Sequence, residues 1–326
     1  MGRQTCWVVT DGKPGMENQC LGLAEAVGLA PQAKRVALRQ PWRSLSPYLP
    51  TPLPLALAGN SDPLDPPWPD LLVTSGRQAV GPALAIRRKS RGRTFWVHIQ
   101  DPGIPFAWVD LVALPRHDGK AGRNVLQTRG ALHRVTAERL KREAEAFAPT
   151  LAHLPHPRIA VLVGGSNGVY RLTPTVMADV AEQLADIAKR HGAGLMVTPS
   201  RRTGEDNEAI LRARLRDLPA VVWDGTGPNP YFGYLGLADA VVATCDSVSM
   251  ISEAASTGKP VYVIELEGGS PKFRRFHEDL YADGVARPFK GELGHWTYAP
   301  LDDTPRIAEE VRRRMAARTG GHGKAP

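Results

Sequence analysis

The sequence predicts an α/β protein of two Rossmann-like, doubly wound domains that face one another across a cleft. Three observations predict this. Short, continuous apolar runs alternate with helical stretches, the pattern of buried parallel strands between helices. The alternation stops in a proline-containing stretch at 149–157 and then restarts. Nearly every apolar run passes directly into a polar loop carrying glycine, serine or charge. Two such series make two domains. One is expected over 1–150 and one over 156–303, with a helix over 304–318 packing back on the first domain and a disordered tail over 319–326.

Trp7-Val8-Val9 is the first expected strand, and Asp11-Gly12-Lys13-Pro14-Gly15 carries the chain into a helix over 17–27. Residues 41–69 are proline-rich and irregular. Leu71-Leu72-Val73 leads through Thr74-Ser75-Gly76-Arg77-Gln78 to a helix over 79–90. Phe95-Trp96-Val97-His98-Ile99 exits into Gln100-Asp101-Pro102, Leu111-Val112-Ala113 exits into Pro115-Arg116-His117-Asp118, and a helix covers 136–147. The second series opens with Ile159-Ala160-Val161-Leu162-Val163 and the loop Gly164-Gly165-Ser166-Asn167-Gly168. Thr173-Pro174 is an N-cap and first-turn pair for a helix to His191. Leu195-Met196-Val197 exits into Ser200-Arg201-Arg202-Thr203, then a helix over 205–216 and a strand over 220–223. Pro230-Tyr231-Phe232 opens a helix, Val241-Val242-Ala243 exits into Asp246-Ser247-Val248-Ser249 with a helix to Ser256, and Val261-Tyr262-Val263-Ile264 is a further strand.

Composition narrows the partners. The 326 residues are 42% hydrophobic and 23% charged, ordinary for a globular chain. A net charge of +8 suits a phosphate ester or an acidic membrane surface. The basic runs at 87–93 and 312–314 carry no interleaved aromatics or nucleic-acid motif, so nucleic acid is not expected as a partner. Three cysteines, Cys6, Cys20 and Cys245, without a CxxC pair, speak against a disulfide framework or a zinc site. No apolar run approaches the length of a membrane span. A cytoplasmic protein, peripheral at the inner face of a membrane if it meets one, is the expectation.

In open parallel sheets ligands bind outside the carboxyl ends of the strands, where six polar loops converge. Ser247 and Ser249 sit at a helix start, whose N–H groups and dipole favour a diphosphate, with Asp246 before them. Glu253, one turn on, is placed for ribose hydroxyls. Ser200, Arg201, Arg202 and Thr203 offer guanidinium forks and hydroxyls for phosphate oxygens, and Gly164, Gly165 and Ser166 allow close backbone approach. These eleven residues form the expected donor site. Lys13, Asn18, Gln19, Ser75 and Arg77 form the expected acceptor site, and Asp11, His98, Asp101 and His117 are candidates for a general base. A histidine inside an apolar strand, such as His98, is more often a core residue. Gly164 to Gly168 also spells G-x-S-x-G, but a hydrolase elbow needs its helix to start at the serine, and here the cap at Thr173 postpones it. No D-x-D, zinc motif or G-x-G-x-x-G occurs, so neither metal nor cofactor is expected and a nucleotide sugar would be a substrate.

The segments Asp11–Gln19, Ser75–Ala79, His98–Pro102, Ser200–Gly204, Asn229–Phe232 and Asp246–Ala254 resemble those of the mitochondrial fission Elm-type family, which includes bacterial predicted glycosyltransferases. The resemblance runs from about residue 7 to 310. It implies a glycosyltransferase-B type fold and leaves the activity open. Three functions follow: a metal-independent glycosyltransferase using a nucleotide-diphosphate sugar and a glycan or membrane-surface acceptor in envelope synthesis; a non-catalytic scaffold at a membrane in division or envelope work, held there by the 312–314 arginines; or a nucleotide-sugar epimerase or hydrolase.

Overall fold

Strands covered by helices on both faces must be apolar along their whole length. CWVVT, LLVTS, FWVHI and LVALP are each buried throughout, and they form the middle of a parallel sheet. The computed structural model describes residues 4–48 and 51–321. The chain divides into two units, one running to Arg134 and resuming at Asp302, the other spanning Val135–Leu301.

The first unit contains β1 (Cys6–Thr10), α1 (Pro14–Val27), β2 (Pro31–Arg35), the short α2 (Trp42–Leu45), β3 (Leu71–Ser75), α3 (Arg77–Lys89), β4 (Phe95–Ile99), β5 (Leu111–Pro115) and β6 (Val125–Thr128). All six strands are parallel, in the order β2-β1-β3-β4-β5-β6. From β1 the chain moves outward to β2 and then returns to the other side, so the winding reverses between β1 and β3. Such a switch point opens a crevice at the carboxyl edge of the sheet. Asp11 and Ser75-Gly76 leave the sheet there.

The second unit contains α4 (Ala137–Phe147), β7 (Arg158–Val163), β8 (Tyr170–Arg171), α5 (Pro174–His191), β9 (Gly194–Pro199), α6 (Glu205–Leu215), β10 (Ala220–Val222), α7 (Tyr231–Leu237), β11 (Ala240–Thr244), α8 (Val248–Ala255), β12 (Val261–Ile264), β13 (Glu267–Gly268), α9 (Pro271–Ala282) and β14 (Ala286–Pro288). The sheet order is β10-β9-β7-β11-β12-β14, again all parallel. Its winding reverses between β7 and β11, the strands that end in Gly164-Gly165 and Asp246. The two-residue strands β8 and β13 pair antiparallel beside it.

Several expected boundaries move. Helix α4 was expected in the first domain but belongs to the second unit. Leu140 and Phe147 pack on its core, and Gly233 and Gly236 of α7 have no Cβ to hold α4 away. The last helix, α10, spans Thr304–Gly321, past the expected end at 318. It ends in glycines, residues commonly found at helix C-termini, and 322–326 lie outside the described residues. Ile307, Ala308, Val311 and Met315 of α10 join Cys20, Leu23 and Val27 of α1 in one core of the first unit.

Candidate functional site

The loops at the switch point of the second unit are drawn together by one buried carboxylate. Asp246 Oδ1 accepts from Thr244 Oγ1 at 2.5 Å. Its Oδ2 accepts from Gly165 N–H at 3.2 Å and lies 2.7 Å from Arg202 Nη2. Asn167 Nδ2 donates to the Asp246 carbonyl at 3.1 Å, and Gly164 N–H to Thr244 Oγ1 at 2.8 Å. The loop after β9 is tied in from the other side: Ser200 Oγ and Thr203 Oγ1 donate to the Gly164 carbonyl at 2.7 and 2.6 Å. So the ends of β7, β9 and β11 form one hydrogen-bonded platform.

The two glycines are needed by this platform itself. A Cβ on Gly164 would stand 2.2 Å from Asp246 Oδ1, and one on Gly165, at φ +155°, would stand 2.0 Å from the Arg202 carbonyl. The close approach anticipated for a ligand is made first by neighbouring protein. The guanidinium of Arg202 likewise faces Asp246 and the Gly165 carbonyl, whereas Arg201 is exposed and makes no ion pair among the described residues.

Helix α8 starts on this platform. Ser247 caps it, accepting from Met250 N–H at 3.3 Å, and Ser249 lies half-buried in the first turn. Glu253, on the same helix, is buried and accepts from Tyr231 Oη at 2.6 Å. Burial raises its pKa to about 7, against the opposing pull of that hydrogen bond. The sequence presents Tyr231 only as a helix opener within the Asn229–Phe232 motif. A tyrosine on the first turn of α7, with a glutamate on the neighbouring helix, was the available signal. Ser166 is exposed, and its Oγ accepts from Leu172 N–H at 3.0 Å. The helix after it begins only at Pro174, so no hydrolase elbow exists here.

The first-unit candidates separate clearly. Lys13 Nζ pairs with Asp11 Oδ2 at 2.8 Å, while among the described residues the buried Asp11 Oδ1 has no hydrogen-bond partner. Ser75 Oγ is also buried without one among the described residues. Asn18 is half-buried and Gln19 buried on α1. Arg77 donates to the backbone carbonyls of Ser46 (2.6 Å) and Ser44 (3.0 Å), which pins the segment before Pro47 to α3. His98 is fully buried, with Nδ1 2.7 Å from Thr74 Oγ1, which itself accepts from Trp96 Nε1 at 2.7 Å. Burial lowers the His98 pKa to about 3, despite the opposing charge of Asp101, so the imidazole is a neutral core group. Burial pushes the Asp101 pKa up, but bonds from Lys120 (2.5 Å) and Gly103 N–H (2.9 Å) outweigh it and hold the acid below its usual range. His117 is buried at the end of β5, 3.7 Å from Asp118. Among the described residues no group of three or more His, Cys, Asp or Glu is placed to hold a metal ion.

Residues 14–315 match the sequence model of the family described as Mitochondrial fission ELM1. The Mitochondrial fission protein ELM1 of Arabidopsis thaliana is 28% identical over 389 residues, covering 95% of this chain and 91% of that protein. An uncharacterized protein of Rickettsia prowazekii is 25% identical over 353 residues, covering 94% and 97%. Among solved structures, the UDP-GlcNAc 2-epimerase of Methanocaldococcus jannaschii, in complex with UDP-GlcNAc and UDP, matches with a TM-score of 0.56 at 11% identity, over 96% of this chain and 99% of that one. The shared feature is the fold, the glycosyltransferase-B type common to glycosyltransferases and nucleotide-sugar epimerases.

Proposed function

This chain belongs to the Mitochondrial fission ELM1 family, and from that premise we propose that it binds a nucleoside-diphosphate sugar on its second unit and transfers the glycosyl group without a metal. The observation that carries this is the start of α8 standing on the Asp246 platform. Its N–H groups and dipole offer a place for a diphosphate, the exposed Arg201 adds a guanidinium, and Glu253 with Tyr231 offers oxygens for ribose hydroxyls. Preorganised positive charge of this kind stabilises a departing nucleoside diphosphate. The solved epimerase of the same fold holds UDP and UDP-GlcNAc, which favours this ligand class. Of the base candidates in the first unit, buried His98 is too weak a base, and Asp11 keeps an Oδ1 that has no hydrogen-bond partner among the described residues.

Titration calorimetry with UDP, other nucleoside diphosphates and UDP-GlcNAc tests the reading. Binding is expected, with Arg201→Ala weakening it about tenfold, the scale of one charge-assisted bond, without change in melting temperature. A folded protein that binds none of them refutes the proposal. Turnover of a nucleotide sugar with no acceptor present would instead favour epimerisation or hydrolysis.

A further inference from the structure

We propose that the outer face of α3 in the first unit docks on an anionic lipid surface, with Tyr48 and Trp108 inserted between headgroups. This stands apart from the nucleotide reading. The exposed large hydrophobics of the second unit reduce to Val169, whereas the first unit exposes Tyr48 at 73%, Leu55 at 67%, Trp108 at 51% and Leu45 at 44%. Tyr48 and Trp108 share one surface pocket of about 320 Å³ with Pro47, Leu84, Arg88 and Lys89. The backbone segments that carry them are anchored to α3. Arg77 bonds the Ser44 and Ser46 carbonyls from the start of α3, and Arg87 bonds the Trp108 carbonyl from its last turn.

Charge identifies the partner. The sequence has no Asp or Glu from Ala26 to Ser61 and none from Leu71 to Gln100. The second stretch carries Arg87, Arg88, Lys89, Arg91 and Arg93 at and just beyond the end of α3, and all but Arg87 are exposed. An apolar-aromatic ledge beside clustered cations, with acids absent from the stretches that carry Tyr48 and the cations and with Asp110 near Trp108 already paired with Arg87, fits an interface of phosphate headgroups over acyl chains. Tyr and Trp place an apolar body and a polar tip across such a boundary, and cations near the surface are drawn to an anionic leaflet. The arginine run first expected to face a membrane is occupied elsewhere. Arg313 and Arg314 both bond Glu310 at 2.7 Å, and Arg312 bonds the Ala26 carbonyl at 2.6 Å.

The test is co-sedimentation of the full chain with phosphatidylcholine–phosphatidylglycerol vesicles and with pure phosphatidylcholine vesicles. Binding to the mixed vesicles alone is expected, weakening as salt rises. Arg88→Glu with Lys89→Glu should cut it at least about thirtyfold, since each near-surface cation contributes roughly fivefold. Tyr48→Ser with Trp108→Ser should also lose it. Arg313→Glu, a charge change on α10, should bind like the parent. Circular dichroism confirms that each variant is folded. The proposal is overturned if the parent ignores the mixed vesicles, if the serine pair binds fully, if Arg313→Glu is as defective as the α3 pair, or if an acidic polypeptide such as polyglutamate is bound in place of the vesicles.

Discussion

Replacing Asp246 by asparagine asks whether a single carboxylate holds the platform together. The side chain is fully buried and faces Thr244 Oγ1, Gly165 N–H and Arg202. Asparagine keeps the shape but must turn an NH2 toward at least one of these donors, and it removes the charge facing Arg202. A hydrogen bond to a charged group contributes about 1.5–3 kcal/mol, and stranding one member of a buried ion pair costs about 3–5. Arg202 is 42% exposed, so water absorbs much of its loss and its share drops toward that of a surface pair. The net cost is roughly 2–3 kcal/mol, borne by the second unit. At about 2–4 °C per kcal/mol for a unit of this size, its calorimetric transition should fall by about 4–12 °C while the transition of the first unit stays in place. Arg202→Met should cost about 1 kcal/mol alone and nothing further on top of Asp246→Asn, because both remove the same contact. A melting curve of Asp246→Asn that overlays the parent, or strict additivity of the two changes, would show that the loops are positioned by something else.

Four further outcomes follow from the same geometry. Gly164→Ala drives a methyl into Asp246 Oδ1 and should destabilise the second unit by about 2 kcal/mol or more, read by denaturant titration, with UDP affinity falling in parallel. Glu253 has its folded pKa raised from 4.5 to about 7, so its contribution is full below pH 4.5 and is lost as pH climbs through 7. The loss is on the order of 3 kcal/mol, so Glu253→Gln should gain on the parent between pH 5 and pH 8 in urea unfolding, and an unchanged difference would refute it. Tyr231→Phe removes the hydroxyl that lowers the Glu253 pKa and should move that pH-dependent loss to higher pH. The His98 imidazole should show no protonation by NMR between pH 8 and pH 5; a titration near pH 6.5 would return it to the list of bases.

What could be read from the sequence is what burial writes into it. The central strands are continuous apolar runs because both faces are covered, and β1, β3, β4, β5, β7, β11 and β12 all announce themselves so. Among the edge strands only the apolar β10 does so. β2 is PQAKR, with one buried residue in five, and β6 and β14 are half-polar, because an edge has one neighbour and water on its flank. For the same reason α4 was given to the wrong unit: its sequence shows an apolar face but not which glycine-bearing helix receives it. The candidate site was legible at the level of loops, since polar residues at strand exits are visible in one dimension. The role of each side chain was not. Arg201 and Arg202 are adjacent and chemically identical, yet only Arg202 turns inward to a carboxylate forty-four positions away. Thr203 and Ser200, read as phosphate contacts, bond the backbone of another strand's loop. A buried acid in such a loop therefore carries information the loop itself does not. Asp246 follows an apolar strand that supplies no counter-charge, so a cation must come from another strand exit, and the exits of β7 and β9, across the switch point from β11, are where to look. In this chain the cation at that place is Arg202, while Arg201 beside it stays exposed, which is why the proposed ligand contact falls to Arg201.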